Sequence, residues 1–160
     1  MPTALVGVAV AFSPVGRALA GLPLGLLVVS QAFRLPLEIW LHALHDAGSL
    51  PVQMTWSGLN FDVATGASAL ALGLAALRWR LPRGVVLAWN VAGLGLLVTV
   101  VAIAVLSAPT PLRRFMDGPA VLLPYNAPYN LIISVHVWTA LVGHLIVFRA
   151  LARRRPQDDA

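Results

Sequence analysis

The sequence predicts an all-α fold, a polytopic transmembrane helical bundle, on three observations. Of 160 residues, 59% are apolar and only 11% are charged, against about 45–50% and about 25% in an ordinary soluble domain. The mean hydropathy is +0.83. The apolar residues also fall in runs of about 20, the length of helix that crosses a bilayer. Residues 1–152 are therefore expected to form a single transmembrane domain and residues 153–160 a solvated cytoplasmic tail.

Four runs qualify as spans: Leu19 to about Leu44, Phe61 to Trp79, Val85 to Leu106, and Tyr129 to Ala150. A fifth apolar segment, Ala4 to Val15, precedes them. Its 12 residues amount to roughly 18 Å of helix, only part of a crossing, and it carries Pro14. It lacks the basic start and the Ala-x-Ala site of a secretory signal.

The basic residues are all arginine, eleven with no lysine, against six acids. In a soluble chain that balance would suggest nucleic acid, but here the arginines sit at span ends, where positive charge sets orientation. Arg17, Arg78, Arg80, Arg83, Arg149 and Arg153 to Arg155 fall on one side when the spans alternate, and Arg113 and Arg114 on the other. The first side is expected to be the cytoplasm of a bacterial inner membrane, and no nucleic-acid partner is expected. The two longer connections, Asp46 to Asn60 and Ser107 to Ala127, then face outward.

The second span carries Gln31, Arg34, Glu38, His42 and His45 at intervals of three, four, four and three. At 100° per residue these five share an arc of about 80°, one polar ridge along an apolar helix. A charge near the bilayer centre costs about 2.5–3.5 kcal/mol, so the ridge should face other helices and make a polar core. Val29, Phe33 and Trp40 are left for lipid or neighbouring helices. At about 1.5 Å per residue, Glu38 lies roughly 12 Å below the outer end and Arg34 about 18 Å. Two polar layers are expected, an outer one of Glu38, His42, His136, Asp62 and Thr65 and an inner one of Gln31, Arg34, Asn90 and His144. In the third span Thr65, Ala69, Gly73 and Ala76 form a small-residue seam for close helix packing. Pro36 should kink the polar helix.

Arg34 and Glu38 admit two readings. They can form an i,i+4 ion pair that fixes helix register, or they can bind a polar ligand, an ion or a proton. Gln31, Asn60, Asp62, Asn90 and His144 are the supporting ligand-binding candidates, with Asn60 and Asp62 also suited to a turn and a helix cap. His42, His45 and Asp46 spell H-x-x-H-D, in which His at i and i+3 can share a divalent metal, completed by Asp62 or His136. His42 and His136 at similar depth could also hold a b-type haem between facing helices. The absence of Cys excludes a disulfide framework, a thiolate metal site and a Cys nucleophile. No G-x-S-x-G, H-E-x-x-H, Walker loop or G-x-G-x-x-G occurs, so an enzyme is not the expectation.

The strings Gln31-x-Phe33-Arg34-x-x-x-Glu38, Pro51-x-Gln53-Met54-Thr55-x-x-Gly58-x-Asn60-Phe61-Asp62, Trp89-Asn90 and Ser107-Ala108-Pro109-Thr110-Pro111 together resemble an uncharacterised family of small bacterial integral membrane proteins. The family loop carries an acidic and a basic residue around its glycine, where this chain has Ser57 and Leu59. The resemblance implies a polar-cored bundle with His144 near the end of the last helix and lends no activity. The leading expectation is a non-enzymatic binding or permeation module for a small polar ligand, ion or proton, with no cofactor. The alternatives are a metal- or haem-binding redox protein using His42, His45 and His136, and a structural subunit of a homo-oligomer or membrane complex.

Overall fold

A computed structural model describes residues 2–153. Among them the regular structure is all helical, without strands: α1 (Pro2–Phe12), α2 (Pro14–Leu19), α3 (Leu24–Val29), α4 (Arg34–Asp46), α5 (Asp62–Arg78), α6 (Arg83–Ser107) and α7 (Tyr129–Arg153). The expected tail lies outside the described residues, apart from Arg153 itself.

Three helical rods are long and apolar enough to cross a membrane: Leu24–Asp46, Arg83–Ser107 and Tyr129–Arg153. Their outward faces carry exposed Val91, Val98, Leu131 and Val135, as lipid contact requires and water does not favour. The third expected span is shorter than a crossing. α5 has 17 residues, about 25 Å of helix against about 30 Å of hydrocarbon.

The reason lies in the connection before it. α4 ends in a Schellman turn, in which Gly48 at φ 72° lets Gly48 N donate to His45 O and Ser49 N to Leu44 O. The chain then turns inward. Leu50, Gln53, Met54 and Thr55 are buried around a single 3-10 turn, Val52–Met54, so α5 starts inside the protein. Backbone outside a helix is tolerated at such depth only when protein covers it. Here Thr55 Oγ1 donates to Val52 O, and Asn60 Nδ2 donates to Met54 O.

The first apolar segment is two helices, not one. Ser13 is extended, its Oγ accepts from Gly16 N at 3.3 Å, and Pro14 opens α2, a start signal that interrupts Ala4 to Val15. The second span begins later than expected, at Leu24 after Pro23, and its middle tightens into a 3-10 turn, Ser30–Phe33. Pro36 has no N–H for the Ala32 carbonyl and its ring crowds that group, which accounts for the change of winding just before α4.

The small-residue seam packs α5 on α3 and the 3-10 turn. Thr65, Ala69 and Gly73 are buried, joined by Gly66, while Ala76 is half-buried. A Cβ on Gly73 would stand 2.5 Å from Val29 N, and one on Gly66 2.8 Å from Leu35 N. Backbone meets backbone there. α1 and α2 lie against α7, held by Arg149 Nη1 donating to Ala11 O at 2.7 Å and Arg153 Nη1 to Arg17 O at 2.8 Å. Two apolar clusters result. One, with Leu27, Val28, Val86, Ile146 and Val147, lies toward this arginine-rich end; the other, with Leu41, Leu50, Met54, Ile103 and Val121, lies toward the loops.

Gly73→Val should lower stability by about 1–3 kcal/mol, the usual result of overpacking. Gly95→Ala, which meets nothing within 4 Å, should raise it by roughly 0.5–1 kcal/mol through helix propensity. Unfolding of the two variants in a mild detergent checks both signs.

Candidate functional site

Between the two apolar clusters lies a set of buried polar side chains. Gln31, Arg34 and Glu38 are each 1% exposed, Asp62 is 3% exposed, and Asn90 and His144 are fully buried. The ridge on the second span thus faces inward at its first three positions. His42 and His45, nearer the outer end, are half-buried.

The ion pair is not the one expected within the helix. Arg34 pairs with Asp62: Nε donates to Oδ2 at 2.7 Å, and Nη2 forms a salt bridge with Oδ1. Glu38, one turn along, instead accepts from Asn60 Nδ2 at 2.7 Å. The two expected layers also merge, because Arg34 reaches Asp62 on one side and His144 on the other. The inward turn of the Ala47 to Phe61 connection explains this, since it brings the start of α5 down to the level of Arg34.

The hydrogen bonds fix the tautomer of His144. A guanidinium only donates, so Nε2, 2.9 Å from Arg34 Nη1, is the acceptor, and Nδ1 carries the hydrogen that Asn90 Oδ1 accepts at 2.8 Å. Asn90 Nδ2 donates in return to His144 O at 3.1 Å. The ring is neutral, and the two residues clasp α6 to α7. Gly93 makes room for it, since a Cβ there would stand 2.7 Å from His144 Cε1. Gln31 fills the corresponding space over Gly143, where its amide nitrogen would clash with any Cβ.

Asn60 has the turn role considered for it and also links the turn to Glu38. Its Oδ1 accepts from Asp62 N at 3.1 Å, an Asx turn that starts α5, while its amide nitrogen serves Glu38 and Met54 O. The face of Val29, Phe33 and Trp40 meets protein: Val29 lies on Gly73, Phe33 faces the His136 ring at 5.6 Å, and Trp40 stacks on Tyr129 at 5.8 Å.

His42 and His45 meet edge to face with ring centroids 6.2 Å apart, and His136 stands apart from them on α7. His42 stacks on Trp56 with ring centroids 3.9 Å apart, His45 Nδ1 donates to Leu50 O, and His136 Nδ1 donates to Ile132 O at 2.6 Å. Among the described residues no group of three or more His, Asp and Glu side chains is gathered as a metal would need.

Beside the polar set is a cavity of about 360 Å³ between α4, α6 and α7. Leu37, Leu41, Leu97, Val100, Ala104, Ile133 and Leu141 wall it, Phe33, Tyr125 and Trp138 add rings, and Arg34, Glu38 and Asp62 contribute its charged part. That volume is in the range of small-molecule sites. No protein-family profile, no characterised protein and no solved structure matches this chain.

Sequence reasoning missed the cavity walls. Between Asn90 and Ser107 α6 is apolar apart from Thr99, so no periodicity marks Leu97, Val100 and Ala104 as lining residues, and Ser134 and Tyr125 carry no motif.

Removing one member of a buried ion pair strands the other. Arg34→Gln and Asp62→Asn should each cost about 3–5 kcal/mol, and the double variant should cost less than the sum. Glu38→Gln, whose carbonyl can still accept from Asn60, should cost well under either. A double-mutant cycle on unfolding in detergent measures the coupling.

Proposed function

We propose that the protein is a non-enzymatic binding or permeation module of a bacterial inner membrane, with a polar core opening into the α4–α6–α7 cavity. One observation carries this reading: a cavity of about 360 Å³ with apolar walls ends on Arg34, Glu38 and Asp62. A well-formed apolar pocket with a few convergent polar groups is the usual form of a small-molecule site, and ionisable residues within membrane helices usually serve function. Arg34, Asp62, His144 and Asn90 form the fixed frame, and Glu38 with Asn60 is the part that faces a ligand.

Orientation follows from charge. Arg17, Arg83, Arg149 and Arg153 gather at one end of the bundle, and Arg113 with Arg114 stands in the α6–α7 connection. With the richer end in the cytoplasm, α7 ends inside and the cavity lies toward the outer half of the membrane. α5 counts as a fourth, short crossing completed by the inward-turned connection before it.

The closed bonding of Arg34, Asp62, His144 and Asn90 supports a second reading, a structural subunit in which these residues only set helix register. A cavity-directed probe separates the two. The protein in maltoside micelles should show a higher thermal midpoint with tert-butylbenzene, and Ala104→Trp, which fills the cavity wall, should abolish the rise. An equal response in both proteins would leave the structural reading.

A further inference from the structure

The cavity has a charge preference. Around it stand one guanidinium, two carboxyls and the His136 ring; that ring donates from Nδ1 to Ile132 O, and all three guanidinium nitrogens are engaged, Nε and Nη2 with Asp62 and Nη1 with His144. His144 is neutral by its hydrogen bonds, and Asn90 beside it carries no charge. With Arg34 and Asp62 cancelling, Glu38 is the acidic group left over, and its one recorded partner is the Asn60 amide. An uncompensated carboxylate in an apolar medium is costly. It must hold either a proton or a cation.

The walls narrow the choice. A small hydrated metal ion needs several oxygen or nitrogen ligands, and no such group is gathered among the described residues. The cavity instead offers aliphatic side chains and the rings of Phe33, Tyr125 and Trp138, and ring faces attract organic ammonium groups. Its exposed members, Val101, Val105, Tyr125 and Ser134, lie along α6, α7 and their connection, so access is from the side, where an amphiphile partitions.

We infer that the ligand is a lipophilic monovalent cation, an apolar or aromatic body bearing a quaternary or protonated amine, held at Glu38 in exchange for one proton. The inference rests on the cavity being a binding site. Charge is conserved in the exchange: the cation enters as the carboxyl proton leaves, and the reverse. An anion is disfavoured, since Arg34 already faces Asp62.

The test compares phenyltrimethylammonium with tert-butylbenzene, which has the same shape and no charge, by thermal shift in neutral maltoside. At pH 8 the cation should stabilise the wild type, with a half-maximal concentration at least tenfold higher in Glu38→Gln. The response to tert-butylbenzene should be the same in both proteins, which shows that the variant is folded and its cavity intact. Acidification to pH 5.5 should weaken the cation's effect in the wild type and spare that of tert-butylbenzene. The groups placed with Glu38 are Arg34 on its own helix, Asp62 and Asn60 from α5 and its approach, and His136 from α7 on the cavity lining, with His144 behind Arg34. A pH effect retained in Glu38→Gln would assign it to one of these others and overturn the exchange. Equal cation affinity in the two proteins, or none in either, overturns the inference while tert-butylbenzene binding keeps the cavity reading. If tert-butylbenzene too fails to act through the cavity, both fall together.

Discussion

The pairing of Arg34 with Asp62 is the constraint on which the rest of the structure depends. A guanidinium deep in an apolar bundle must have a carboxylate and further acceptors within reach, and the chain supplies them from two other helices. Asp62 can reach Arg34 only if α5 starts well inside the protein, so the preceding connection must fold inward with its backbone groups satisfied. Asn60 does much of this, bonding Met54 O, Glu38 and Asp62 N together. The same requirement makes α5 short and sets its height against α3. At that height, glycines allow backbone contact.

What the pair leaves over has as much consequence as what it uses. Arg34 is occupied by Asp62 and His144, so the charge facing the cavity is carried by Glu38. The polar residues lie between two apolar clusters, which exclude water and strengthen each interaction between them. A bonded polar frame beside an aliphatic wall is the arrangement on which the proposed binding of a lipophilic cation rests.

Much of this was legible in the sequence. The three- and four-residue spacing of Gln31, Arg34 and Glu38 on an apolar helix required an inward ridge, and all three are buried. Asn90 and His144 were rightly grouped with Arg34, because equal depth on different spans is a geometric constraint that residue counting captures. Counting failed for Asp62 because it assumes that each helix starts at the membrane surface, and α5 does not. Thr55, Gln53 and Met54 are polar or flexible enough to pass for an ordinary exposed loop, and nothing in their order signals that they are buried. For the same reason, the sequence predicts four spans where three full-length rods are present among the described residues. The cavity was illegible because its walls are aliphatic side chains of α4, α6 and α7, which read the same whether they meet a neighbour or a gap.

The reciprocal bonds between Asn90 and His144 fasten α6 to α7 on the side of the cavity nearer the arginine-rich end. Beyond that fastening the two helices run on toward Ala104 and Ile133 with the cavity between them, and both are held again at the loop side, α6 by Ile103 in the second apolar cluster and α7 by Tyr129 stacked on Trp40. The stretch between the two points of attachment is about 15–20 Å at 1.5 Å per residue. The chamber therefore has two fixed ends, and its bore is set by the bulk of the side chains strung between them.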